Sequence, residues 1–89
     1  TVPAGVLVVN DGARDALVSR QASLLPKGVT VVRGSFAAGA VVSVVDTREV
    51  EIARGICREG SDTIPTLVRK PGRGRALVHR DQIAILAEE

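Results

Sequence analysis

Gly5-Val6-Leu7-Val8-Val9-Asn10-Asp11-Gly12-Ala13 is the stretch whose reading decides the fold. The run through Val9 is apolar and mostly β-branched, which suits a pleated strand. Asn10-Asp11-Gly12 interrupts it. Asp11 is placed to cap a helix over residues 13–20, where Ala16, Leu17 and Arg20 follow Ala13 at three-, four- and seven-residue spacing. A strand therefore feeds a helix directly through a glycine turn.

Downstream, Leu24-Leu25-Pro26-Lys27-Gly28 breaks the chain before a second strand over residues 29–33, ended by Gly34. Phe36 and Gly39 bracket a short turn. Residues 40–45 form a near-continuous apolar run, the mark of a strand covered on both faces or closing a small barrel. Residues 46–49 read as a hairpin loop, although they lack the Asn-Gly or Asp-Gly pair. Residues 50–58 follow as a strand, with Val50, Ile52 and Ile56 on one face and Glu51 and Arg54 on the other. Gly55 leaves room there for a bulge or a close backbone approach.

Beyond Gly60 the texture changes. Ser61 can cap a short helical turn through Ile64, which Pro65 limits. Pro71-Gly72-Arg73-Gly74 is a loop by composition. Residues 76–79 and 82–86 read as two last strands before the acidic end Glu88-Glu89. The expected fold class is mostly β with one main α-helix, five or six short strands closing into a small barrel so that few edges stay open.

Length and composition bound the function. A chain of 89 residues holds one modest core, and 45% hydrophobic with 25% charged residues is a globular balance. No apolar run approaches the ~20 residues that span a bilayer, and no signal peptide is evident. A single cysteine forms no internal disulfide, and the expected localisation is cytoplasmic.

Catalytic chemistry has little to build on. Cys57 and His79 are the only cysteine and histidine, and a small thiol in a β-branched strand is ordinarily buried. Two such ligands fall short of the four of a closed zinc site, so no metal is expected. Asp11 and Asp15 lie one helical turn apart, where acids ordinarily serve the helix dipole. No phosphate-cradling glycine loop is present. The chain alone is expected to be no enzyme and to hold no cofactor.

Twelve Lys and Arg against ten Asp and Glu give a net charge of +2, too small by itself to imply nucleic acid. The distribution is uneven: Arg69, Lys70, Arg73, Arg75 and Arg80 crowd together, with no acid before Asp81. That is the weak signature of a phosphate-rich partner, or a solvated loop. With Phe36 as the one aromatic, binding would rest on phosphate and shape rather than base stacking. Gly12 would let a sugar–phosphate chain approach a helix N-terminus, or it serves the turn alone.

Several segments resemble the PUA domain, a small β-barrel module, and in particular those at the C-terminus of bacterial glutamate 5-kinases. They are residues 8–13 (Val-Val-Asn-Asp-Gly-Ala) and residues 23–29 (Ser-Leu-Leu-Pro-Lys-Gly-Val). Gly34-Ser35-Phe36, Ile52-Ala53-Arg54-Gly55 and Val78-His79-Arg80-Asp81 continue the match. It covers residues 5–86, leaving 1–4 as the end of a linker and 87–89 as a tail. Arg58-Glu59-Gly60 and the proline–glycine loop depart from the family pattern. The resemblance implies a PUA-like pseudo-barrel. It also implies a parent enzyme that phosphorylates the γ-carboxylate of L-glutamate with ATP and Mg²⁺, the first step of proline synthesis. The catalytic residues would belong to an amino-acid kinase domain of the same polypeptide, itself a homo-oligomer.

Two roles then stand open: a regulatory or assembly element of that kinase, and a module that binds structured RNA, in an RNA-modification enzyme or on its own. The RNA face would comprise Gly12, Arg14, Lys27 and Arg80, with Arg73 and Arg75 from the divergent loop. Of these, Gly12 alone matches a motif position; the rest follow from charge.

Overall fold

The computed structural model describes residues 2–69 and 75–86. Five strands form one sheet: β1 (Gly5–Val9), β2 (Val29–Arg33), β3 (Val41–Val45), β4 (Glu51–Cys57) and β5 (Val78–Ile85), in the order β2-β1-β3-β4-β5. β1 and β3 run parallel and every other pair antiparallel. The main helix α1 (Asp11–Arg20) leaves β1 at once, and a 3₁₀ turn, Pro26–Gly28, leads into β2.

The sheet curls until its edges meet through the chain just ahead of the 3₁₀ turn. Leu24 bridges Val78, its N–H donating to the Val78 carbonyl at 2.9 Å while its own carbonyl accepts from Leu77 N–H at 2.7 Å. The cylinder is thus closed by a bridge rather than by a full ladder. Inside lie Leu7, Val9, Val42, Val44, Ile52 and Val78, with Leu17 from α1 and Phe36 from the β2–β3 connection. Phe36 is buried, as a core plug should be.

Four sequence expectations need correcting. The N-cap of α1 is Asn10, whose side-chain oxygen accepts the Ala13 N–H at 2.8 Å; Asp11 is already the first helical residue. A second helix, α2 (Ile64–Arg69), begins where only a turn was expected. Pro65 does not limit it, because a proline in the first turn withdraws an N–H that has no helical partner anyway. The two last strands are one, because exposed Arg80, Asp81 and Gln82 tolerate water on a sheet edge and need not break it. Val50 lies just ahead of β4 and is exposed, as is Ile56, while Ile52 and Ala53 are both fully buried. The β3–β4 register shifts between Val44 and Val45, which breaks the simple alternation. The expected loop over residues 71–74 lies outside the described residues.

Candidate nucleic-acid interface

The first turn of α1 is held at close range by the chain that follows it. Asn10 N–H donates to the Gly28 carbonyl at 2.9 Å. A Cβ on Gly28 would sit 2.6 Å from the Ala13 Cβ, so only glycine lets helix and 3₁₀ turn meet here. From that junction a groove of about 540 Å³ opens between α1 and residues 22–28, within the range of small-ligand sites. Its lining is largely apolar, with Ala13, Ala16 and Leu24 among it, and includes the cations Lys27 and Arg20. Among the described residues, no Asp or Glu lines it.

The candidate residues divide. Gly12 and Lys27 both line this groove. Gly12 does not serve the turn: its φ is not among the positive ones, and a Cβ there would meet only Asn10 Oδ1, at 3.5 Å. Arg80 stands beside the groove, its backbone N–H donating to the hydroxyl of Ser23, a lining residue, at 2.9 Å. Arg14 is engaged elsewhere, with Nε 3.4 Å from Asp46 and Nη1 3.6 Å from Asp15. Arg75 pairs with Glu59 at 3.6 Å, and Arg73 lies outside the described residues.

Arg20 and Ser23 were missed by sequence reasoning. Arg20 was read only as the end of a helix, and Ser23 only as the first residue of the segment 23–29 that resembles the family; both line the groove between α1 and residues 22–28. The remaining chemical candidates stay apart. Cys57 is wholly buried and its thiol is pushed up by desolvation. His79 is at the surface, where its Nδ1 accepts the Asp81 N–H at 3.2 Å.

The family model of the PUA domain matches residues 5–73. This chain belongs to the PUA family. Among curated proteins the PUA domain is similar to glutamate 5-kinase of Photobacterium profundum, 36% identical over 94 residues; 94% of the chain and 25% of that enzyme are covered. The chain therefore spans about a quarter of such relatives. A PUA domain of Aeropyrum pernix, solved as a tartrate complex, matches at 34% identity with a TM-score of 0.76, over 85% of this chain and 41% of that one. The archaeal box H/ACA sRNP Nop10–Cbf5 complex matches at a TM-score of 0.74, over 89% of this chain and 24% of that one. At 14% identity this last likeness shows the fold alone. Among the described residues, no helix of the PUA domain is long and apolar enough to cross a membrane.

Proposed function

We propose that this PUA domain is a non-catalytic binding module whose α1 groove takes the sugar–phosphate backbone of structured RNA. The observation that carries the reading is Gly12. It occupies helical backbone that any residue could adopt, and a Cβ there would make only ordinary van der Waals contact with Asn10 Oδ1, at 3.5 Å, in a groove lined, among the described residues, by cations and no acids. A glycine that the fold does not require is accounted for by a backbone that must pass over it. An sRNP component built on the same fold supports the class of partner. With Phe36 buried, recognition rests on phosphate and helical shape rather than on stacking.

The test is fluorescence anisotropy with a labelled RNA hairpin carrying a single-stranded tail, titrated across ionic strength. Binding is expected at low salt and is expected to fall steeply as salt rises. Gly12→Ala should stabilise the domain by about 0.4–1 kcal/mol, since alanine has less chain entropy to lose, yet bind RNA more weakly. No binding at low salt, or a Gly12→Ala chain that binds unchanged, removes the reading.

A second reading has its own observation, the glutamate 5-kinase relatives. There the domain is a regulatory or assembly element beside an amino-acid kinase domain, and ATP and Mg²⁺ belong to that other domain. Deleting the PUA domain from such a kinase should then alter its activity or its response to proline; unchanged behaviour on both counts ends this reading.

A further inference from the structure

We propose that Ser23 is a positioning residue that couples occupation of the α1 groove to closure of the cylinder; the inference rests on the RNA-binding reading above. Residues 22–25 have two structural roles at once. They form a wall of the groove, and through Leu24 they close the sheet against β5. The Ser23 hydroxyl accepts the Arg80 N–H at 2.9 Å. Leu24 exchanges backbone hydrogen bonds with Val78 and Leu77 at 2.9 and 2.7 Å. Otherwise β5 is paired with β4 alone among the described residues.

The wall of the groove and the seam of the cylinder are therefore the same piece of chain. If β5 parts from residues 23–24, the groove loses its wall and Arg80 loses its tie to the rim. A ligand that needs both binds the closed form better, so it must shift the seam toward closure by that difference in affinity. Among the described residues, the Ser23 hydroxyl is the side chain that joins the two, and its loss loosens the seam without touching the α1 side of the groove.

The test is amide hydrogen exchange of the chain, free and with the RNA hairpin at about ten times its Kd. Exchange at Leu24, Leu77 and Arg80, whose amides make the seam, should slow about tenfold, whereas Leu67 in α2 should change little. Ser23→Ala should speed exchange at Arg80 in the free chain and weaken RNA binding about three- to tenfold, the worth of one hydrogen bond. Ser23→Thr, which keeps the hydroxyl, should restore both. A merely structural serine would lower the unfolding midpoint while leaving RNA affinity and ligand-induced protection of the folded chain unchanged. RNA binding with unaltered exchange at the seam overturns the coupling and leaves the function standing; no RNA binding removes both. Should Ser23→Ala fail to fold, the protection seen in the unaltered chain decides.

Discussion

Phe36 is the only aromatic residue, and it is spent on the core. Its ring lies over Gly5 so closely that a Cβ there would come within 2.5 Å of the ring carbon Cε2. Its backbone is fastened as well, with the N–H on Ser61 Oγ at 3.0 Å and the carbonyl accepting Ser61 N–H at 2.9 Å. Phe36→Ala should therefore cost about 3–5 kcal/mol in urea unfolding. Gly5→Ala should cost about 1–3 kcal/mol by overpacking. A Phe36→Ala loss below about 1 kcal/mol would mean the ring is not a core plug. Glu49 is a different kind of constraint. It sits at φ 67°, a left-handed value that suits glycine, and a two-pronged ion pair with Arg33 at 2.6 Å holds it there. Glu49→Gly removes strain along with the pair, whereas Arg33→Gln removes the pair and keeps the strain. Thermal melts should show the Arg33 variant to be the less stable of the two.

At the scale of elements, the β3–β4 hairpin is organised by a buried acid. Asp46 Oδ1 accepts the N–H groups of Val50 and Arg48 at 3.1 and 2.9 Å, and Arg14 of α1 lies against its other oxygen. The Val50 N–H, the largest influence, holds the Asp46 carboxyl below its usual range, and Arg48 adds to it. Arg33 does the same for Glu49, and Arg54 with the Ser43 hydroxyl for Glu51. Each folded pKa lies below the unfolded one, so this stability is fully present above the unfolded carboxylate range and lost as pH falls through the folded values. The melting temperature should hold level above about pH 5 and decline below about pH 4. Asp46→Asn should start lower and decline less. Helix α2 is anchored by Ile64, wholly buried, and opened by Pro65. Ile64→Ala should cost about 2–5 kcal/mol. Pro65→Ala should cost only about 0.4–1 kcal/mol, through the freedom it returns to the unfolded chain. Equal losses for the two would show that α2 is not anchored through its first residue.

Over the whole molecule the net charge of +2 says little about partners; the placement of a few cations says more. If RNA phosphates meet Lys27, Arg20 and Arg80, each contact contributes about −0.7 to the slope of log K against log salt. Lys27→Ala should flatten that slope by about one contact, and Arg75→Ala, already paired with Glu59, should leave it unchanged. An equal effect from both would place the interface elsewhere. Much of the architecture was legible in the residues: β-branched runs bounded by glycine and proline marked four of the five strands, and Asn10-Asp11-Gly12 marked the passage from strand to helix. These are local preferences of backbone and side chain, and they act before any tertiary contact forms. Which residue caps α1, and which side of β4 faces inward, depended on a hydrogen bond and a register shift that no local pattern announces. The groove depended on more distant meetings still, between Gly28 and Ala13 and between Ser23 and β5. Residues far apart in sequence become neighbours only when burial of the shared core brings their elements together, and so the site belongs to the tertiary structure while the strands and the main helix belong to the sequence.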